Sequence, residues 1–317
     1  MTVDYQARMQ KLLASVDADA VAIVPGANMV YFTGLHYHLS ERPIIAFITR
    51  DGLAFIMPKL EVVKLNQRPD LEGRPFIWSD TDGYTQSFNE AVASLKGAKL
   101  AVDGMTLRVF EWLALKTAGL DLNQTVDAGQ TMLYIRSIKT PDEIAAMKKA
   151  NEISEIALKN VMAWVKPGMT EREIATKLND ELNAAGSQGL AFGSLVLTGP
   201  KSALPHGNTG DRVWGKDEFL LIDFGGAYDE YPADITRTFC VGTPTDEMRK
   251  IYDTVYQANA AAYAIAKPGV TCGAVDKAAR DVIEAAGYGE YFTHRTGHGL
   301  GLSGHELPQI AANVETV

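Results

Sequence analysis

Cysteine is scarce in this chain. Its 317 residues contain two, Cys240 and Cys272, with neither the spacing of a zinc knuckle nor that of a disulfide framework. Long apolar runs are missing as well. No stretch of about 18 apolar residues is present to span a bilayer, and the opening Met1-Thr-Val-Asp-Tyr-Gln-Ala-Arg8 carries an acid where a signal peptide carries its apolar core. Export and membrane anchoring are not indicated, and a cytoplasmic protein is expected. Basic residues are outnumbered, with 30 Lys and Arg against 39 Asp and Glu and a net charge of −9. That balance argues against broad electrostatic binding to nucleic acid or to an acidic membrane surface. A small molecule or a short peptide is the expected partner. Histidine is sparse too, six residues in all, so its placement is informative.

What is present is a soluble globular composition, 46% hydrophobic and 22% charged, in a chain long enough for about two domains. The first, residues 1–133, reads as α/β. Tyr5, Met9, Leu12, Leu13 and Val16 share one helical face, Ala20 to Val24 is a short apolar run, and Ile44 to Ile48 and Leu53 to Met57 flank the turn Arg50-Asp51-Gly52. Strands at Pro75 to Trp78 and Leu100 to Val102 alternate with helical Ser87 to Leu95 and Leu107 to Thr117. A second domain, 138–317, opens where Thr140, Pro141 and Glu143 spell a capping box ahead of a long helix.

From there the chain repeats itself. Lys166-Pro-Gly-Met-Thr170 recurs as Lys267-Pro-Gly-Val-Thr271, and Ala184-Ala-Gly186 as Ala285-Ala-Gly287, both at an offset of 101 residues. Each half reads as a long helix, a Lys-Pro-Gly turn, a second helix ending at glycine, and strands, so one α+β domain with pseudo-twofold symmetry is expected. The same step taken from Asp223 falls beyond Val317, so the second half is expected to lack its C-terminal strands, through missing sequence or cleavage. The stripe Met248, Ile251, Val255 and Tyr256 reads as core, and the charges between Glu171 and Ala185 as a solvated helix face.

The chemistry gathers around two acidic residues in adjoining strand-like runs, Phe219 to Gly226 and Ala233 to Val241. A hairpin centred between Tyr228 and Asp229 sets Asp223 directly against Asp234, where β-carbons are about 5 Å apart and like charges repel. A shared proton or a cation held by both would relieve the repulsion. His298 lies in Thr296-Gly-His-Gly-Leu-Gly301, where the flanking glycines admit close backbone approach, and imidazole is the neutral ligand that complements two carboxylates. His206, in Ala203-Leu-Pro-His-Gly207, and His305, before Glu306-Leu-Pro308, also stand in Gly- or Pro-framed loops. His294 is read as a hydrogen-bonding support for His298. His36 and His38 are assigned to surface or substrate contacts.

Ser202-Ala-Leu-Pro-His-Gly207, Leu221-Ile-Asp-Phe-Gly225, Asp234-Ile-Thr-Arg-Thr-Phe239, and His294-Arg-Thr-Gly-His-Gly-Leu-Gly-Leu302 with His305-Glu-Leu-Pro308 resemble the signature blocks of the creatinase, prolidase and aminopeptidase P family. The likeness runs from about Ile138 to the end, and Tyr31-Phe-Thr-Gly34 extends it loosely into the first domain. The resemblance implies a pita-bread catalytic domain whose ligands are two aspartates, one histidine and two glutamates. Asp223, Asp234 and His298 match the first three. Glu306 and Glu315 do not match the glutamate positions, which belong to later strands. It also implies two divalent ions, about 3.5 to 4 Å apart in binuclear aminopeptidases. Manganese or cobalt suits an oxygen-rich site with one imidazole, and zinc stays open.

By the same likeness His206 would serve proton transfer or substrate anchoring, and His305 would stabilise the developing oxyanion. Hydrolysis of the peptide bond before proline, by an Xaa-Pro dipeptidase or aminopeptidase P-like homodimer, is the implied activity. Two alternatives stand beside it. One is a family enzyme acting on a small non-peptide substrate, such as a creatine or ectoine hydrolase or a sulfonium-acid lyase. The other is a non-catalytic binding protein that kept the fold.

Overall fold

Asp4 caps the first helix by accepting from the Ala7 amide at 2.9 Å, and α1 (Tyr5–Ser15) then buries Met9 and Leu12. The computed structural model describes residues 3–317, in two units, one ending at Arg136 and the other running from Ser137 to Val317. The first unit continues with β1 (Ala20–Ile23), α2 (Ala27–Thr33), β2 (Ile45–Thr49), β3 (Gly52–Pro58), α3 (Val62–Asn66), β4 (Arg74–Trp78), α4 (Thr85–Ser94), β5 (Leu100–Val102), α5 (Val109–Thr117), β6 (Val126–Asp127) and α6 (Gly129–Ser137). Its six strands form one mixed sheet in the order β4-β3-β2-β1-β5-β6. The expected hairpin is present, with β2 and β3 antiparallel and Thr49 opposite Gly52. Phe47, Ile56, Phe76, Phe88 and Leu115 are among the side chains that fill the core between sheet and helices.

In the second unit α7 (Pro141–Trp164) starts as its capping box requires, with Thr140 and Glu143 satisfying each other's backbone amides. It is followed by α8 (Glu171–Ala184), β7 (Leu195–Thr198), β8 (Phe219–Phe224), β9 (Ala227–Tyr228), β10 (Tyr231–Pro232), β11 (Ile235–Cys240), α9 (Asp246–Ile265), α10 (Cys272–Ala285), β12 (Gly297–Gly299) and β13 (Glu306–Ile310). The repeat is visible in the backbone. Gly168 and Gly269 have φ of +98° and +90°, and Gly186 and Gly287 of +95° and +88°, closing corresponding turns in the left-handed region that glycine enters most readily. The first half holds the three-stranded sheet β11-β8-β7, and the second the two-stranded sheet β12-β13.

Burial along β8 alternates strictly. Leu220, Ile222 and Phe224 pack with Ile153, Val161, Ile174, Leu178 and Trp214 in one core, which turns Asp223 to the opposite face of the sheet. Helix α7 also grips the hairpin through polar contacts. The Gly226 amide donates to the buried Ser154 hydroxyl at 2.9 Å, and the Tyr231 hydroxyl donates to Glu143 at 2.6 Å.

Two expectations fail here. The stripe of α9 does not form core: Ile251, Val255 and Tyr256 are exposed, with Tyr256 at 68%. The helix instead turns Thr254, Ala258 and Ala262 inward and packs on α10 through Ala279 and Ile283, because small side chains let two helices approach closely. The charges of α8 are not all solvated either. Glu171 is fully buried, as is Asp276 of α10.

Both buried carboxylates are held below the ordinary carboxylate range. Burial pushes them up, but hydrogen bonds from Lys201, Gly210 and Thr198 to Glu171, and from Arg280 and Thr296 to Asp276, outweigh it. A depressed folded pKa adds stability that is complete above the unfolded values, about 4.3 for Glu and 3.9 for Asp, and is lost as pH falls through the folded values. Melting temperature should therefore hold near neutrality and drop in acid, with a shallower acid limb in Glu171→Gln. Calorimetry at stepped pH checks this, and parallel limbs for the two proteins would refute it.

Candidate metal centre

Asp223 and Asp234 meet on one face of the β8–β11 hairpin, but not as directly opposed residues. Asp223 lies opposite Thr236, and Phe224 opposite Ile235. The turn is centred between Asp229 and Glu230, whose φ values of +46° and +74° mark a tight two-residue turn with both central residues left-handed. The true centre therefore lies one residue beyond the expected one, and each residue's partner moves by two. Because side chains alternate with period two, that shift preserves the face, and Asp234 becomes the diagonal neighbour of Asp223.

Burial, and then the Asp234 charge, push the Asp223 carboxyl up. The Thr236 hydroxyl, donating to Oδ1 at 2.8 Å, offsets part of the rise. Thr236 escaped the sequence reading, although its position two residues beyond Asp234 puts it on the same face.

Between them Gly225 has a steric role. A β-carbon there would fall 1.8 Å from the Ala233 carbonyl oxygen, so only glycine lets the strand leading into Asp234 come this near.

His298 comes from β12, whose pairing with β13 slips after this residue: His298 faces Gln309, whereas Gly299 faces Glu306. Such an irregularity re-aims a side chain. Of the two flanking glycines it is Gly299 that is sterically required, since a β-carbon would lie 2.0 Å from the Leu307 carbonyl oxygen, while at Gly297 the nearest atom is 3.6 Å away. Nδ1 of His298 is 2.9 Å from the Gly299 carbonyl oxygen. A carbonyl only accepts, so Nδ1 carries the proton, and the lone pair of the uncharged imidazole, the form that binds metal, falls at Nε2. That atom lies 3.8 Å from Asp234 Oδ2, a gap that two metal–ligand bonds of about 2.1 Å can bridge. The donor chemistry of two carboxylates and one imidazole thus fits a divalent cation, though as an open site. Among the described residues no three His, Cys, Asp or Glu side chains are gathered closely enough to enclose an ion.

The rings of His298 and His305 are 4.2 Å apart, tilted by 58°. Burial, with His298 and Arg295 nearby, holds the His305 imidazole below its ordinary value despite the opposing pull of Asp234. His206 is exposed in the loop after β7 and makes no hydrogen bond or ring contact with the other four residues. His294 does not support His298; its Nδ1 lies 2.7 Å from the Arg295 carbonyl oxygen. Glu306 is buried against Lys139 at 2.9 Å. His36 and His38 are exposed in the first unit.

Residues 145–317 match the model of metallopeptidase family M24, and residues 6–138 that of the creatinase/prolidase N-terminal domain. The chain belongs to metallopeptidase family M24. An uncharacterized peptidase of Staphylococcus epidermidis is 35% identical over 305 residues, covering 96% of this chain and 85% of the relative. Among solved structures, a recombinant prolidase from Thermococcus sibiricus superposes with a TM-score of 0.92 at 30% identity, covering 100% of this chain and 87% of that one. An Xaa-Pro dipeptidase from Bacillus anthracis gives 0.88 at 29%, covering 99% and 87%. The fold is accordingly the M24 pair of a creatinase-type α/β domain and a pita-bread catalytic domain. Family membership makes the chain a metallopeptidase homologue and implies divalent metal ions. No helix among the described residues is long and apolar enough to cross a membrane.

Proposed function

We propose that this M24 protein hydrolyses the peptide bond preceding proline in dipeptides or short peptides, using divalent metal held by Asp223, Asp234 and His298. The observation that carries the reading is the approach of His298 Nε2 to Asp234 Oδ2 at 3.8 Å, on the sheet face that Asp223 shares. The prolidase and Xaa-Pro dipeptidase named among the structural neighbours supply the substrate class. A divalent ion held there would polarise a carbonyl oxygen and lower the pKa of a bound water to about 7. Manganese or cobalt suits the donor set better than a thiolate-preferring ion.

The chain's own groups have distinct tasks. Thr236 orients the Asp223 carboxylate through Oδ1 and leaves Oδ2 without a hydrogen-bond partner among the described residues. Gly299 fixes the His298 tautomer through its carbonyl. A neutral His305 beside His298 donates a hydrogen bond to negative charge developing on the substrate carbonyl. His206, on its exposed loop, anchors substrate or moves a proton.

The test is an assay with added manganese against Xaa-Pro dipeptides, longer Xaa-Pro peptides, creatine and ectoine. Cleavage of a proline peptide, abolished by chelation and restored by metal, is expected. Turnover of only a non-peptide substrate would refute the substrate assignment. The openness of the trio favours a second reading, a binding protein without catalysis. Elemental analysis separates the two, with two ions per complete site expected for the enzyme and none for the binder.

A further inference from the structure

The two histidine-bearing loops of the catalytic unit are held by the same device. Glu171, the first residue of α8, is fully buried. Its Oε1 accepts from both the amide and the hydroxyl of Thr198, at 2.9 and 3.0 Å. Its Oε2 accepts from the Gly210 amide at 2.9 Å and from Lys201, which also donates to the Asn208 carbonyl at 2.8 Å. Thr198 ends β7 and Gly210 closes the following loop, so one carboxylate grips both ends of the segment that carries His206.

In the second half Asp276 of α10 is 1% exposed. Its Oδ1 accepts from the amide and the hydroxyl of Thr296, at 3.1 and 2.8 Å. Arg280, one turn further along the helix, donates to Asp276 Oδ2 at 2.9 Å and to the Phe292 and His294 carbonyls at 2.8 and 3.1 Å. Thr296 is two residues before His298.

Each assembly therefore has three parts: a buried carboxylate on the second helix of the half, a cation that compensates its charge, and a threonine whose two donors converge on one oxygen. Two donors from one residue fix its orientation as well as its position. A staple serving stability alone has no need of this arrangement, since buried ion pairs are often replaceable by apolar side chains at no cost. Outer contacts of this kind ordinarily set the geometry of site residues.

We infer that Asp276 and Glu171 are positioning residues that divide the labour, Asp276 setting His298 through Thr296 and Glu171 setting the His206 loop through Thr198 and Gly210. The inference rests on the reading of His298 as a metal ligand and of His206 as a substrate-side group.

The test uses Thr296→Val, which removes a donor without changing charge, together with Asp276→Asn, Thr198→Val and Glu171→Gln in the whole protein. Thr296→Val and Asp276→Asn should weaken manganese binding, followed by electron paramagnetic resonance of the free ion, by about 10- to 100-fold. Thr296→Ser should restore it. Thr198→Val and Glu171→Gln should leave manganese affinity unchanged and alter kcat or KM for the proline peptide.

Order of the histidine rings, from NMR relaxation of metal-free protein, supplies a readout independent of catalysis. His298 should lose order in Thr296→Val alone, and His206 in Thr198→Val alone. Melting temperatures lowered with metal affinity, kinetics and ring order all at wild-type values would reduce both carboxylates to staples and overturn the inference. Wild-type protein that binds no manganese would instead remove the hydrolase reading. The ring-order comparison would still decide the positioning role, and unchanged order in both valine variants would overturn it.

Discussion

Asp223→Asn should lower metal-dependent kcat/KM by on the order of 10³-fold or more, through loss of the ion that activates water and polarises the scissile carbonyl. The same change should leave the metal-free fold at least as stable as before. Asp223 sits in a place unfavourable to its charge, first through burial and then through Asp234. With a folded pKa raised above the unfolded value of about 3.9, the unfolded chain gives up its proton first, so stability erodes as pH rises through that window. Asparagine carries no charge to be penalised and still offers an oxygen to Thr236. A variant that binds no manganese yet melts at or above the wild-type temperature at neutral pH is therefore expected, as site residues often hold tension that binding relieves. Retained turnover with unchanged metal content would remove Asp223 from the site. A large drop in melting temperature would show its role to be architectural.

The second large effect is expected at a residue with no side chain. In Gly225→Ala the new methyl would meet the Ala233 carbonyl oxygen at 1.8 Å and the carbonyl carbon at 2.6 Å, both backbone atoms with no rotamer to yield. The strands must part by more than 1 Å just where one leads out of Asp223 and the other into Asp234. Overpacking of this kind costs about 1–3 kcal/mol, and a 1 Å displacement of a catalytic group can cost about 10²-fold in rate. Gly193→Ala is the matching control, since nothing lies within 4 Å of its added carbon. Equal activity and melting temperature for the two variants would show that the hairpin absorbs the methyl without moving its carboxylates.

Much of this is legible in the amino-acid sequence. The capping box at Thr140 and Glu143, the β2–β3 hairpin and the 101-residue repeat rest on local turn and cap chemistry, which the structure reproduces. The shared face of Asp223 and Asp234 follows from alternation along the strands. Their register does not, because the turn follows Asp229, which tolerates positive φ, with Glu230, which rarely takes it, and so gives no signal of the kind Asn-Gly or Asp-Gly gives. Glu171 was misread for a different reason. It stands in step with Ile174, Ala175, Leu178 and Leu182, all buried, and a charge on an apolar stripe is itself the sign of a buried, partnered group. Asp276 shares that spacing with Ala279 and Ile283. The α9 stripe erred in the opposite direction, since periodicity cannot tell which of two faces, one large and one of alanines, meets a neighbouring helix.

The tight turn at Asp229 and Glu230 restricts how this hairpin can diverge. Loss or gain of a single residue there would send one acidic group to the far side of the sheet, whereas a change of two would keep both where they are. Natural or designed relatives that preserve the chemistry should therefore vary in loop length at this point only in even steps.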